Sequence, residues 1–391
     1  MKPADLFLYL IGNRGAIERV AATRGAWLIG AILVLSAGIA RNYDHLDLLR
    51  EPEWFIGPFA ASLVSIGFIY LWLSGPLRFH AVGGYWRQWG VFLTLAWLTA
   101  PCAWLYGIPV EAWTDIMTAT KWNIAFLAIV ALWRVAIIVR AVSVLANVNW
   151  RRVLPLVLAP AALEAFVGST FERLSLVGIM GGIRLEPHTT LLVDATRLTT
   201  HASFFIFIGS VTAHFFTRGA AKQALCRTGK PASAKLTAVA LTTLAAWILA
   251  AIPLHPKLAN RRHLEELVKD REFAQAAAFA SGKTRGDFPP HHHLPPTPSS
   301  WFDPQLLINL PPDAPAWLRD EWILNAIESR KGGYHRHTED WKTANSLYPE
   351  IPSALARHAA ELRARRDKLD RDENHWLRGY ESEEKEIPAS P

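Results

Sequence analysis

Cysteine is nearly absent: the 391-residue chain carries two, Cys102 and Cys226. A disulfide-stapled scaffold is excluded, and two thiols so far apart in sequence read as unpaired and inert. Charge is scarce too, at 19% Asp, Glu, Lys and Arg against 51% hydrophobic residues, which excludes a disordered chain. Acids are scarcest where the chain is most apolar. Residues 1–253 hold 12 of the 34 acids together with 12 of the 17 Trp, which excludes an ordinary soluble enzyme for that part. Catalytic signatures are missing as well. There is no H-E-x-x-H, no G-x-S-x-G and no acid pair at helical spacing inside an apolar run. Metalloprotease, serine-hydrolase and glycosidase readings therefore lack their parts, and the chain reads as non-enzymatic and without a cofactor.

What is present is a series of long apolar runs, at 25–41, 54–73, 89–108, 122–146, 153–170, 200–217 and 236–253. A membrane span needs about 20 mainly apolar residues, because the hydrocarbon core is about 30 Å thick and a helix rises about 1.5 Å per residue. The expected fold class is all-α, a polytopic membrane bundle over 25–253 of about seven spans. The count falls to six if the run holding Pro155, Pro160 and Glu164 does not cross. Trp54, Trp72, Trp89 and Trp122 fall at run ends, where aromatic residues anchor helices at the bilayer interface.

The pI of about 9.5 invites a nucleic-acid reading, but the charge is unevenly placed. Residues 1–253 carry 21 basic and 12 acidic residues, net +9, and residues 254–391 carry 20 and 22, net −2. Nucleic-acid binding wants a basic face on a soluble module, and the only segment able to fold in water is slightly acidic. The basic residues instead follow membrane orientation. Lys2, Arg14, Arg19 and Arg24 precede the first span, and Arg78 with Arg87, Arg151 with Arg152, and Arg218, Lys222, Arg227, Lys230 and Lys235 fall in alternate loops. The loops between them are poorer in Lys and Arg, which places the N-terminus in the cytoplasm and, with seven spans, the tail outside. Lys257, Arg261 and Arg262, just after the last span, run against this rule.

The segment 1–24 has no run long enough for a signal peptide. Leu6, Leu10, Ile17 and Val20 are spaced as an amphipathic helix, either on the inner membrane surface or packed against the bundle. Beyond the bundle, 254–285 reads as a helix with Leu264, Leu267, Val268 and Phe273 on one side. Residues 286–315 contain nine prolines and read as an extended arm. The region 316–378 is expected to be helical, with one helix over 314–330 stopped by Gly332–Gly333 and another over 353–378. In the latter, Leu355, Leu362, Leu369 and Trp376 recur every seven residues, but Ala359, Arg366 and Glu373 form no second seam. One helix docked on a neighbour fits this better than a coiled coil. Residues 379–391 are expected to be disordered.

Several motifs resemble chemistry without completing it. Ala277 to Thr284 reads A-x-x-x-x-G-K-T, one glycine short of a phosphate-binding loop, and Gly282 falls at a helix end, where a C-cap is the simpler role. His291, His292 and His293 lie in the proline-rich arm, and His335 and His337 near by, with no cysteine or acid cluster to complete a metal site. Gly178-x-x-x-Gly182 sits in a loop and reads as a tight turn, with Arg184 beyond it at the membrane surface. His201 and His214 fall near the ends of one span, as interfacial hydrogen-bonding residues rather than a proton relay.

The run Leu35-Ser36-Ala37-Gly38-Ile39-Ala40-Arg41-Asn42-Tyr43-Asp44, with Asp47-Leu48-Leu49-Arg50-Glu51-Pro52, resembles an uncharacterised group of bacterial polytopic membrane proteins. Gly181-Gly182-Ile183-Arg184-Leu185 and Asp287-Phe288-Pro289-Pro290 extend the resemblance, which covers residues 1 to about 300. It implies a bacterial inner-membrane address and no particular chemistry.

Two function classes follow. The first is a membrane protein whose tail docks an envelope partner, the bilayer being its other partner. The second is a transporter or channel using charge within the bundle. Arg134 lies near mid-membrane in the fourth run, and Glu164 lies in the next. A lone charge at that depth costs about 2.5–3.5 kcal/mol on insertion scales, so the two are expected to form an intramembrane ion pair.

Overall fold

A computed structural model describes the chain apart from residues 44–49, 51, 80, 82–83, 111–112, 178–186, 218–219, 226–228, 230, 289–303, 333–338, 367–370 and 387–391. Cys226, the 178–182 glycine motif, Arg184, the histidines 291–293, 335 and 337, Leu369, most of the proline-rich arm and the extreme C-terminus therefore lie outside the described residues. Among the described residues the regular structure is helical, with a single isolated bridge between Arg24 and Pro231 and no strand. Met1–Val177 with Pro187–Leu254 form one compact unit, and a second begins at His255.

The first unit contains α1 (Pro3–Leu10), α2 (Arg14–Ala21), α3 (Ala26–Asn42), α4 (Glu53–Leu77), α5 (Tyr85–Trp97), α6 (Ile116–Ala146), α7 (Trp150–Val177), α8 (Pro187–Phe216) and α9 (Ala234–Ala251). Local chemistry sets many of the boundaries. Asn13, Asp115 and Ser233 cap α2, α6 and α9 by accepting from the N–H three residues on, at Ala16, Thr118 and Leu236. Arg78 and Asn147 end α4 and α6 with left-handed backbone, at φ 56° and 51°. Pro101 has no N–H to continue the ladder of α5, and the chain tightens into a 3₁₀ segment over Ala100–Gly107.

Each of the seven apolar runs is helical, and six helices are long and apolar enough to cross a membrane: Phe55–Leu77, Tyr85–Gly107, Ile116–Ala146, Trp150–Phe171, Thr190–Phe216 and the one beginning at Ala234. The seventh, α3, has 17 residues. At about 1.5 Å per residue it is roughly 25 Å long, short of a 30 Å core. Among the described residues the count by length and composition is therefore six, against about seven expected, with six possible. The run at 200–217, which the sequence allows to extend back to Leu191, lies in a helix that starts at Pro187 and takes in Asp194 and Arg197.

The short α3 is largely covered by its neighbours, although Trp27 and Leu28 at its start are exposed. It packs against α4, α5, the 3₁₀ segment and α9. Small residues permit this: a Cβ on Gly30 would stand 2.7 Å from the Trp97 Cβ, so the two backbones approach only because Gly30 has none. The outer helices show the opposite pattern. In Thr190–Phe216 only 11% of the apolar window is buried by protein, against 72% in Tyr85–Gly107. Phe205, Phe215 and Phe216 are exposed, and Trp86, Trp113, Trp122 and Trp150 are exposed near helix ends. Apolar surface on this scale is what a lipid-facing bundle presents.

One end of the bundle is tied by the segment 217–233. Ala221 N–H donates to Leu77 O, Lys222 N–H to Ala146 O, and Ser233 N–H to Met1 O. Pro231 bridges Arg24. The N-terminal segment packs against the bundle as a hairpin, turning at Gly12 (φ 76°). Leu6, Tyr9, Ile17 and Val20 enter the main core, the Tyr9 hydroxyl donates to Leu95 O, and Trp133 Nε1 donates to Leu10 O. Of the two arrangements open in the sequence, this is the packed one, although Phe7 and Ile11 remain exposed on its other side.

The second unit contains α10 (His255–Lys269), α11 (Phe273–Ala280), α12 (Gln305–Ile308), α13 (Ala316–Gly332), α14 (Glu339–Leu347), α15 (Glu350–Ala364) and α16 (Arg371–Glu386). Two expected helices are each divided. The first breaks at Arg271, whose φ is 62°, with Glu272 N–H closing the end of α10 on Leu267 O. The second ends at Ala364, so Leu355 and Leu362 lie on α15 and Trp376 on α16. The heptad spacing thus spans two helices, and Leu355, Leu362 and Trp376 are buried in one core with Leu318, Trp322, Ile323 and Trp341.

Candidate functional site

The structure does not join Arg134 and Glu164, and the ion pair expected between them is corrected. Arg134 Nε donates to Thr99 Oγ1 at 3.0 Å, and Glu164 Oε2 accepts from Ser65 Oγ at 2.5 Å. Among the described residues no ion pair links the two, and the electrostatic neighbours of Arg134 are Tyr106, Cys102 and Tyr9. Adjacency along the chain misled here. Although α6 and α7 pack together, α7 also packs on α4, and Glu164 faces Ser65 there instead of α6.

Both partners are hydroxyl groups, which carry no sequence signature in an apolar run. Thr99 is fully buried, and its own hydroxyl donates to Ala96 O at 2.6 Å, closing the last turn of α5. It therefore holds the guanidinium in place without neutralising it. Along the same helix as Ser65, Ser62 Oγ accepts from Trp97 Nε1 at 3.2 Å. Ser36 accepts from Trp104 Nε1 at 3.0 Å, and Thr200 donates to Ser169 at 3.0 Å. These bonds join helices where the bilayer offers no water to satisfy a polar group.

The densest polar packing lies at the end tied by 217–233. Gln88 is fully buried; its Nε2 donates to Phe79 O and its Oε1 accepts from Leu225 N–H at 3.0 Å. Arg152 is 8% exposed, and its Nη1 meets His214 O at 2.8 Å, His214 Nδ1 at 3.0 Å, Thr217 Oγ1 at 3.1 Å and Thr217 O. Sequence reasoning placed Arg151 and Arg152 together as loop charges. In fact Arg151 is exposed and Arg152 points inward. A signal existed: Arg152 precedes Leu156 by one helical turn and so shares its buried face, with Val153 and Val157 alongside. His201 is exposed, 13 residues from His214, about 20 Å along α8, and the two form no relay.

In the second unit the phosphate-loop look-alike is a helix end. α11 stops at Ala280, Gly282 has φ 76°, and Thr284 and Asp287 then cap a 3₁₀ turn. Lys283 is engaged elsewhere, 3.4 Å from the centre of the Phe279 ring and 3.0 Å from Asn260 Oδ1. A shallow depression between Arg271, Gln275, Gln305 and Asp340 is lined by charges of both signs.

No family model, curated protein or solved structure matches the chain.

Proposed function

We propose that this is a multi-pass membrane protein that holds a folded helical module at the membrane for a protein partner. The observation that carries this reading is the independent core of the second unit, in which Trp322, Trp341 and Trp376 are buried. Trp376 Nε1 donates to Arg330 O at 2.6 Å, Trp317 Nε1 to Lys283 O at 2.9 Å, and Arg261 pairs with Glu321 at 3.0 Å. A segment so organised is a domain with a defined surface, where the sequence suggested a helical, proline-rich arm.

In this reading the bundle makes seven crossings, and two observations support the seventh. The start of α3 adjoins Pro231 through Arg24, at the end tied by 217–233. Its other end reaches the opposite side, where Gly38 approaches Phe55 O and the Tyr43 and Trp247 rings meet at a tilt with centres 5.4 Å apart. A helix short of the full bilayer thickness is accommodated by slight local thinning. Lys2, Arg24, Arg78, Arg87, Arg151 and Lys222 all belong to the tied end, which the bias of basic residues assigns to the cytoplasm of a bacterial inner membrane. Seven crossings then put the module outside.

The test uses the full-length chain in cells. A photo-crosslinking residue in place of Leu324, exposed on α13, should give one discrete crosslinked species, and the same residue in place of the lipid-facing Phe205 should not. Release of the chain from membranes by carbonate, or crosslinks no different from Phe205 controls, would refute the reading. A second reading, solute passage through the bundle, is favoured by one observation: Arg134 and Glu164 have hydroxyl rather than charged partners.

A further inference from the structure

Among the described residues, Arg134 and Arg41 are guanidinium groups of the bundle without a carboxylate partner. Arg41, in the last turn of α3, has its Cζ 5.9 Å from the centre of the Tyr106 ring. Tyr106 lies on the 3₁₀ segment, which packs against both α3 and α6, the helices that carry Arg41 and Arg134. Among the described residues neither arginine has an acid within ion-pair distance. Two of the surrounding hydroxyls are already committed. Thr99 accepts from Arg134 Nε and donates to Ala96 O, and the Tyr9 hydroxyl donates to Leu95 O at 2.6 Å. What remains unused is a set of donors: the two terminal nitrogens of Arg134, the Tyr106 hydroxyl and the Arg41 guanidinium.

A set of donors of one sign, partly buried in an apolar bundle, calls for an acceptor-rich anion. Arg134 cannot reach solvent by extending its side chain, because Thr99 pins its Nε and it lies about 18 Å along α6 from Ala146. The free edge of a guanidinium is a planar pair of donors that matches two oxygens of one phosphate or carboxylate. An unneutralised charge at this depth is costly, and an oxyanion removes that cost.

We propose that Arg134, Tyr106 and Arg41 bind an oxyanion, the phosphate or carboxylate of either an anionic lipid or a soluble solute. This goes beyond docking, and it holds whether the bundle moves the anion or retains it.

The experiment uses the full-length chain in nanodiscs, of phosphatidylcholine alone or with phosphatidylglycerol added. Inorganic phosphate and acetate are titrated into the first and followed by tryptophan fluorescence. Phosphatidylglycerol retained by the second is counted by native mass spectrometry after detergent transfer. Saturable binding in the first identifies a soluble anion, and stoichiometric retention in the second a lipid. Losing one charge-assisted hydrogen bond, Arg134→Gln should weaken binding about tenfold or more. Tyr106→Phe and Arg41→Gln should each weaken it by at least about threefold, from loss of a weaker or more solvated donor. Arg41 is exposed, so its variant keeps the test valid even if Arg134→Gln fails to fold. No binding in either arm, or unchanged binding in both Arg41→Gln and Tyr106→Phe, would overturn the proposal.

Discussion

Replacing Gln88 with Leu tests whether the 217–233 segment is held by specific bonds or merely lies against the bundle. Gln88 is fully buried at the start of α5, and its amide joins two chain segments that do not touch it in sequence. Its Nε2 donates to Phe79 O, just after α4, and its Oε1 accepts from Leu225 N–H. Leucine has nearly the same volume, so little cavity forms and the packing against Phe79 and Leu225, both fully buried, survives. The loss is polar. Two buried backbone groups lose a partner, and each unsatisfied group costs about 1–3 kcal/mol. The expected destabilisation is thus about 2–6 kcal/mol if neither group finds water. Arg87→Leu, at an exposed neighbour, should change stability by less than about 0.5 kcal/mol. The assay is thermal unfolding in detergent, read by size-exclusion fluorescence. Limited proteolysis in the 217–233 segment is the second readout, since a detached segment is cut before the helices are. Gln88→Leu melting with the parent protein and resisting protease equally would refute the reasoning. Destabilisation without faster cleavage of the segment would place the cost elsewhere.

Three further outcomes follow from the same geometry. Because Arg134 and Glu164 have different partners, the losses in folded yield from Arg134→Leu and Glu164→Leu should add within about 0.5 kcal/mol, and recovery in the double mutant would restore the ion pair. Trp322→Ala should destabilise the second unit by about 3–5 kcal/mol, since the side chain is 6% exposed and shares its core with Trp341; a far-UV melt unchanged from the parent would contradict this. Burial raises the pKa of Asp5, but the Lys2 backbone N–H and the Arg19 guanidinium outweigh it and hold the carboxyl below its usual value of 3.8. The associated stability is therefore present above about pH 4 and lost as pH falls through the lowered folded value. Asp5→Asn should flatten that acid limb in a stability-against-pH series, and an unchanged limb would argue against the Asp5–Arg19 pair at 2.8 Å.

How far each part was legible depends on how local its cause is. The apolar helices were readable because the requirement for crossing a membrane acts residue by residue: each such helix must be apolar over its own length. All seven apolar runs are accordingly helical, and those at 25–41 and 54–73 start within a residue of the helices Ala26–Asn42 and Glu53–Leu77. The exception in length is α3, whose role comes from its position among other helices and from Gly30 against Trp97. The tail was read less well. Its helices are broken by single residues such as Arg271, and its leucines and tryptophans serve one core assembled from several helices, so a seven-residue spacing along one imagined helix had no meaning.

The polar site lay furthest from what sequence determines. Arg134 and Glu164 stood out because charge is conspicuous in an apolar run, and both are indeed within the bundle. Their partners were invisible, since Thr99 and Ser65 are ordinary small residues and each comes from a helix fixed only by packing. The same holds for Arg41 and Tyr106, separated by 65 positions yet brought together where α3 meets the 3₁₀ segment. Sequence by itself determined the long apolar runs, their helicity and the scarcity of charge, because these follow from the side chain and its near neighbours. Which charge meets which hydroxyl, and which arginines are left facing no acid, was decided by tertiary structure alone, because helix neighbours in a bundle are chosen by the fit of whole faces.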